Sequence, residues 1–347
     1  MTRVSLVNIT SAKIITPSCV SDSQTNNCNA STFLKIHWLV LLYFCLFGLL
    51  SVLHMPKIAK LLSFYLTRVV VATFLCLNMI GAAVAGDRLL ATGGVSQIEG
   101  AAGGGLVPWA VIAGYGTRDQ VGVTAFHTNL GIDDFGLKST GIALGVQDRV
   151  EISLTRQLFG LGTTVPGKSI RQDVVGAKLK ISGDAVFDQD SWMPQVAIGL
   201  QHKRNRDMAV PTALGARHAS GTDYYVSATK LYLAGLAGRN LLLNGTLRAT
   251  KANQLGLLGF GGDRRDRYQV EFESSAAVLL TDYFAVGAEY RFKPNNLHVF
   301  REDDFVDVFA AWFVNKNVSL TLAFARLGQV ADKKKQDGLY FSIQISR

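Results

Sequence analysis

The chain has 347 residues, among them 34 glycines, 7 prolines and 4 cysteines, and a formal net charge of +9. All four cysteines lie in the first quarter of the sequence, which excludes disulfides and cysteine-ligated metals from the remainder. Residues 1–85 hold six basic residues and one acidic residue, so residues 86–347 carry a net charge of only +4. This small excess argues against nucleic acid as a partner.

Residues 55–85 are predicted to be a signal peptide for export. Three basic residues precede an apolar core at 69–80, and Ala83 and Ala85 stand three and one positions before a cut at Gly86. Signal peptidase accepts small residues at these two positions. The exported domain is therefore predicted to be 86–347.

Residues 1–54 contain a second apolar stretch, at 33–53, which is long enough to cross a membrane as a helix. A hydrophobic segment ahead of a complete signal peptide is unusual for an exported protein. We interpret residues 1–54 as a mis-assigned start, with Met55 as the initiator. The alternative is an extra N-terminal segment that acts as an uncleaved inner-membrane anchor.

Beyond residue 88 the chain consists of segments in which apolar residues alternate with small or polar ones. The last two segments show this best: Leu320, Leu322 and Phe324 alternate with Thr321 and Ala323, and a matching arm follows near the C-terminus. Alternate side chains of a strand point to opposite faces, and about ten residues suffice for a tilted strand to cross a bilayer. The pattern predicts an all-β, antiparallel transmembrane β-barrel in the outer membrane of a Gram-negative bacterium.

The connections between these segments alternate between short and long. In chain order the predicted strands are 88–99, 106–116, 120–128, 137–147, 149–159, 173–182, 192–202, 223–233, 239–250, 268–280, 283–292, 304–314 and the two arms of a hairpin over 316–347. Short periplasmic turns and long outer loops are typical of outer-membrane barrels. With the C-terminus in the periplasm, this alternation of short and long connections gives about 14 strands, or about 12 if 88–99 is an N-terminal plug. A soluble β-sandwich is disfavoured because its strands seldom alternate so evenly at this length.

Residues 93–115 read GGVSQIEGAAGGGLVPWAVIAGY. This run resembles an uncharacterised proteobacterial family of outer-membrane barrels, domain of unknown function 3034, and the resemblance extends from Gly86 to the C-terminus. It implies a location in the cell envelope. It implies no activity and no functional residues.

Charged residues within the predicted strands are expected to face the lumen, because a charge facing lipid costs roughly 2–4 kcal/mol at the bilayer midplane. They are Glu151, Lys178, Lys180, Arg248, Glu271, Glu273, Glu289 and Arg291. Such charges can line an aqueous pore and set its selectivity, or they can pair across a narrow interior and seal it. We predict a porin-like passive channel for small polar solutes. The alternative is a closed structural or surface-interaction barrel that contacts lipopolysaccharide through its long loops.

Basic clusters in the predicted outer loops suit contact with lipopolysaccharide phosphates, although solvated loops look the same in sequence. The residues are Lys203, Arg204, Arg206, Arg264, Arg265 and Arg267. An aromatic girdle is predicted from Trp109, Tyr115, Trp192 and Trp312. The expected partners are outer-membrane lipid, lipopolysaccharide and the barrel-assembly machinery, with no nucleic acid.

Motifs for catalysis or cofactor binding are weak. Residues 162–169 match a phosphate-binding loop, but the sequence that follows has no helical period. His127 and Asp133 can approach one another, yet no serine is placed to complete a triad. We therefore predict no enzyme, no cofactor and no metal site.

Overall fold

The computed structural model describes residues 88–347. The predictions for residues 1–54 and 55–85 lie outside the described residues. No helix within 88–347 is long and apolar enough to span a bilayer. This part of the chain forms a closed antiparallel barrel of twelve strands, and residues 88–116 fill its interior.

The strands comprise a twelve-stranded wall and two small two-stranded sheets. In chain order they are β1 Val95–Ser96, β2 Ala102–Gly103, β3 Val121–Ile132, β4 Gly136–Val146, β5 Val150–Gly160, β6 Ser169–Ser182, β7 Gln195–Asn205, β8 Ala216–His218, β9 Ser220–Leu236, β10 Arg239–Thr250, β11 Phe260–Gly262, β12 Gln269–Thr281, β13 Phe284–Arg291, β14 Phe305–Phe313, β15 Val318–Arg326 and β16 Asp337–Ser346. A short helix, α1 (Ala209–Ala213), and a 3-10 turn (Gln254–Gly256) lie in the connections. The wall runs β3-β4-β5-β6-β7-β9-β10-β12-β13-β14-β15-β16, whereas β1 pairs with β2 and β8 with β11.

The wall closes where the last strand meets the first. Strand β16 pairs antiparallel with β3, from Gly338 opposite Ile132 to Ser346 opposite Thr124. Closure leaves the wall without an unpaired edge, which is a requirement for strands in a bilayer.

The number of wall strands follows from where the N-terminal segments lie. Neither 88–99 nor 106–116 enters the wall, and every residue from 93 to 116 is buried. A wall strand would instead expose every second side chain to lipid. The alternative of about 12 strands with an N-terminal plug is thus confirmed, and it replaces the count of about 14.

The outer surface of the wall is apolar. In β5, Ile152 and Leu154 are 47% and 50% exposed, whereas Glu151 and Ser153, which alternate with them, are buried. The other wall strands show the same alternation, with apolar residues exposed on the outside. A closed antiparallel barrel with an apolar outer band is how strands cross the outer membrane of Gram-negative bacteria, and this protein is such a barrel.

The two ends of the barrel differ. The connections at 117–120, 147–149, 183–194, 237–238, 282–283 and 314–317 form what we call the turn end. The connections at 133–135, 161–168, 206–219, 251–268, 292–304 and 327–336 form the loop end. The N-terminal segment enters at the turn end, where Arg88 Nη1 lies 2.8 Å from Asp148 Oδ1.

Candidate functional site: the plug and the charges that hold it

Residues 88–116, which we call the plug, run from the turn end into the lumen and back to the turn end, where β3 begins. Their only regular structure is the β1–β2 pair. Glycine lets the plug approach the wall closely: a Cβ atom at Gly104 would lie 2.0 Å from Glu289 Oε1. Another at Gly100, where φ is +103°, would lie 2.1 Å from Thr155 Oγ1. The glycine-rich sequence is therefore what allows the segment to fit inside the wall.

Glu99 is the only charged residue among the buried residues 93–116, and three wall cations surround it. Its carboxylate accepts hydrogen bonds from Lys203 Nζ and, at 2.7 Å, from Arg291 Nη1. Gln97 Nε2 donates a further bond of 2.7 Å, and Arg248 Nη2 lies 4.0 Å away. A carboxylate without solvent exposure is tolerated only with such compensation.

The same three cations also bond to carboxylates of the wall. Lys203 Nζ lies 2.6 Å from Asp223 Oδ2, and Arg248 Nε donates to Glu273 Oε1 at 2.5 Å. Arg291 Nε lies 3.1 Å from the same Glu273 oxygen. We call these six residues the anchor cluster: Glu99, Lys203, Asp223, Arg248, Glu273 and Arg291. With three charges of each sign, the anchor cluster is neutral only while Glu99 is in place.

A pair of wall charges contacts both legs of the plug, the segment that enters from the turn end and the segment that returns to it. Glu151 accepts hydrogen bonds from the backbone nitrogens of Ala102 at 3.1 Å and Ala113 at 2.8 Å. Lys178, opposite Glu151 on the next strand, donates to the carbonyl oxygens of Ala102 at 2.8 Å and Val111 at 2.9 Å. One ion pair therefore provides hydrogen-bond partners for backbone groups of both legs.

A third contact lies on β13 and β14. Glu289 accepts hydrogen bonds from Leu106 N and Ser275 Oγ, both at 2.6 Å. Asp307, its register partner, is 1% exposed, and neither of its carboxylate oxygens has a hydrogen-bond partner among residues 88–347. The Cβ position of Gly105 is 3.5 Å from Asp307 Oδ2 and 3.6 Å from Glu289 Oε2, so both carboxylates converge on the plug.

At the loop end the connections 251–268 and 292–304, which we call the cap, fold inward over the plug. Gln254 N donates to Glu302 at 3.0 Å, and Lys293 Nζ lies 3.7 Å from the same carboxylate and 3.8 Å from the Phe305 ring centroid. Burial lowers the pKa of the Lys293 ammonium to about 8, although Glu302 acts in the opposite direction. Burial likewise raises the pKa of the Glu302 carboxyl, against the opposing effect of Lys293.

The space between the plug and this cap is small and apolar. Ile98 and Leu106 of the plug face Leu255 and Leu257 of the cap across a cavity of about 20 Å³. This hole is close to the size of one water molecule. As folded, the lumen is closed at this level.

Comparison with known proteins identifies the family. A family model described as "Protein of unknown function (DUF3034)" matches residues 92–344. The chain belongs to this family. The match begins within the plug, so plug and wall form one DUF3034 unit. Comparison with curated proteins gives no match.

Several solved barrels are similar to the DUF3034 chain. The KdgM porin is 9% identical, covers 64% of this chain and 98% of its own, and has a TM-score of 0.40. The NanC porin is 10% identical, with 65% and 98% covered and a TM-score of 0.41. Omp33 of Acinetobacter baumannii is 8% identical, with 66% and 99% covered and a TM-score of 0.39. Similarity at this level says nothing about solute or mechanism.

The structure places all eight residues predicted to face the lumen on the inner side of the wall. Six contact the plug or belong to the anchor cluster: Glu151, Lys178, Arg248, Glu273, Glu289 and Arg291. The other two lie toward the ends, with Lys180 bonded to Asp148 at 2.5 Å at the turn end and Glu271 half-buried near the loop end. The eight residues therefore contact the plug, one another or groups at the ends of the barrel, and do not border an open pore.

One residue of the predicted lipopolysaccharide contact, Lys203, needs correction. Lys203 is not in a loop: β7 extends to Asn205, which directs Lys203 inward, whereas Arg204 and Arg206 are exposed outside. Arg264, Arg265 and Arg267 are exposed at the loop end.

The prediction that Trp109 and Tyr115 belong to an aromatic girdle is wrong, because both are buried in the plug. Trp109 Nε1 donates a hydrogen bond to Ser275 Oγ at 2.9 Å. Trp192 and Trp312 are exposed toward the turn end.

Sequence reasoning missed Glu99, Asp223 and Asp307 as site residues. A lone acid in a glycine-rich apolar run was the available signal for Glu99. The phosphate-loop motif joins β5 to β6 without a helix, since Ser169 already begins β6.

Proposed function

We propose that this protein is an outer-membrane channel for small polar solutes that is closed at rest by its own plug. The supporting observation is the polarity of the inner wall, to which every wall strand contributes at least one buried polar or charged side chain. Examples are Thr128 on β3, Ser139 on β4, Gln157 on β5, Gln201 on β7 and Thr246 on β10. With the plug displaced, such a wall would line an aqueous pore.

The plug can be displaced from the lumen because its contacts with the wall in the middle of the barrel are polar. Hydrogen bonds and ion pairs to Glu151, Lys178 and Glu289 can be exchanged for water when the segment moves out. We assign no catalytic role. His127 and His202 lie on the outer wall, bonded to Thr140 and Thr222. Insertion by the barrel-assembly machinery is part of the same proposal.

Conductance in planar bilayers tests the channel. The refolded protein should be closed most of the time, and Glu99→Gln should raise its open fraction at least tenfold, because the variant leaves a buried positive charge without compensation. Asp337→Asn is the matched control, since its carboxylate pairs with Arg326 on the outer wall. The proposal would be contradicted if no conductance were measured for the wild type, for Glu99→Gln and for a folded variant lacking residues 88–116.

A second candidate, a sealed surface-interaction barrel, is supported by the apolar packing at the loop end. There Ile98 and Leu106 join buried cap residues such as Leu255 and Leu258 in one hydrophobic cluster. Displacing the plug would expose this surface to water. Silence in the conductance test would favour this candidate, whose partners would meet the loop end.

A further inference from the structure

Five basic side chains lie together on the outer, lipid-facing side of four neighbouring strands. They are Lys138 on β4, Arg156 on β5, Arg171 on β6, Arg204 on β7 and Arg206 just beyond β7; we call them the basic face. The register aligns them in rows, because Asp173 pairs with both Arg156 and Arg204, and Leu158 pairs with both Lys138 and Arg171. All five are at exposed positions in the loop-end half of the barrel.

A central carboxylate orders the basic face. Asp173 accepts hydrogen bonds from Arg156 Nε and Arg206 Nε, each at 2.9 Å, and Arg206 Nη2 lies 2.8 Å from it. Asp207 lies 3.7 Å from Arg171 Nε. With both carboxylates counted, the basic face keeps a net charge of +3. The side chains of Arg156 and Arg171 remain 72% and 60% exposed, so their guanidinium groups are accessible to a ligand.

Outward lysine and arginine side chains of the wall are concentrated on this side. In the loop-end halves of the other eight wall strands, all within the described residues, Arg326 is the single outward lysine or arginine, and Lys251 lies just beyond β10. Both are paired with a carboxylate: Asp337 is 3.8 Å from Arg326, and Asp266 is 3.3 Å from Lys251. The basic face is therefore not a feature that the whole rim shares.

Below the basic face, toward the turn end, lies a shallow apolar groove of about 900 Å³ on the outer wall. Its outward residues include Ile142, Leu154, Val175, Ile343 and Ile345. Lys138 and Arg156 border it on the loop-end side. Apolar side chains thus lie at the depth of lipid tails, and cations lie at the level of headgroups.

We propose that the basic face and this groove together bind lipopolysaccharide, with its phosphates on the arginines and its acyl chains in the groove. Guanidinium forks match phosphate oxygens in geometry and charge. The basic face spans four strands, roughly 14 Å at the usual strand spacing. That width fits a headgroup that carries more than one phosphate better than a single phosphodiester. The inference rests on the loop end facing the cell exterior, and it does not depend on channel activity.

Binding of lipopolysaccharide to the refolded full-length protein in detergent tests the proposal. The triple variant Arg156→Gln, Arg204→Gln, Arg206→Gln should bind fluorescent lipopolysaccharide at least tenfold more weakly than the wild type. The matched control, Arg264→Gln, Arg265→Gln, Arg267→Gln, loses the same charge at the loop tips and should bind as the wild type does. Raised salt should weaken wild-type binding, as expected for exposed charges.

Two further probes identify the ligand chemistry. Dephosphorylated lipid A and phosphatidylglycerol vesicles should each bind at least tenfold more weakly than lipopolysaccharide. Equal binding of either probe, or wild-type binding by the triple variant, would overturn the proposal. Heat-modifiability on gels establishes that each variant is folded, and Arg204→Gln alone, which breaks no ion pair with Asp173, should still reduce binding measurably if the triple variant fails to fold.

Discussion

Arg291 Nη1 donates to Glu99 Oε2 at 2.7 Å, which joins wall strand β13 to a plug residue 192 positions earlier in the chain. Arg291 Nε also lies 3.1 Å from Glu273, so one guanidinium bridges the plug and the wall. Both partners are buried. Removing one member of a buried ion pair leaves the other without compensation, which typically costs about 3–5 kcal/mol.

A double-mutant cycle on this pair should show strong coupling. Glu99→Gln and Arg291→Gln should each lower the free energy of unfolding by about 3 kcal/mol or more, and the double variant by less than the sum. Urea unfolding of the barrel refolded in lipid vesicles provides the measurement. Additive effects within about 0.5 kcal/mol would show that the two charges do not act as a pair.

Asp307→Asn should stabilise the protein. Both carboxylate oxygens of Asp307 are buried without a hydrogen-bond partner in the part of the chain that the structure describes, and Glu289 is its register neighbour. Replacing the carboxyl group by an amide, which cannot ionise beside Glu289 and can donate hydrogen bonds, removes the cost of burying this group without a partner, with an expected gain of roughly 1–3 kcal/mol in the same unfolding assay. Glu289→Gln is the matched control and should destabilise, because Glu289 accepts bonds from Leu106 N and Ser275 Oγ. Equal destabilisation by both variants would mean that Asp307 has a counterion.

Gly104→Ala should loosen the plug. The added methyl group would meet the Glu289 carboxylate, with 2.0 Å to Oε1 and 2.8 Å to Oε2, and would displace it from Leu106 N. Residues 86–347 contain no cysteine, so a cysteine at fully buried Ala110 reports plug exposure through its maleimide labelling rate. The rate should rise at least tenfold in Gly104→Ala. Gly131→Ala is the control, since no atom of the described residues lies within 4 Å of its Cβ position, and unchanged labelling in both variants would refute the close fit.

The wall could be predicted from the sequence, whereas the plug could be recognised only as an alternative. Strand alternation is a local property, and in β15 and β16 it separates lipid-facing from lumen-facing side chains residue by residue. Residues 106–116 also alternate, but their two faces are both apolar or small, which suits a segment buried on all sides. The missing polar face distinguishes this plug segment from a wall strand.

The anchor cluster was only partly predictable. Parity assigned Arg248, Glu273 and Arg291 inward, because all three lie within segments that the sequence predicts as strands, 239–250, 268–280 and 283–292. Lys203 was missed because its place near the end of β7 depends on where that strand stops, and boundaries follow from pairing with β6 and β9. Glu99 meets partners more than a hundred residues away, so local sequence could mark it as unusual but could not supply its partners.

Lys293 should give the barrel a stability that rises with pH between about 8 and 10.5. Burial lowers the pKa of Lys293 to about 8 from its ordinary value of 10.5, against Glu302, Asp304 and Asp303, while Arg291 acts with burial. Between these two values the unfolded chain binds more protons than the folded one, so the free energy of unfolding increases with pH. The slope attributable to this group is at most about 1.4 kcal/mol per pH unit.

Lys293→Met removes this group, and because Lys293 also lowers the pKa of the Glu302 carboxyl, the comparison is made in the Glu302→Gln background, where that carboxyl is absent. The difference in unfolding free energy between Glu302→Gln and the double variant should shift in favour of Glu302→Gln as pH rises from 8 to 10. Glu302 does not mimic this effect, because its raised pKa makes stability fall as pH rises above its ordinary value of 4.5. A difference that stays constant between pH 8 and 10 would show that Lys293 is not held in a desolvated site beneath the cap.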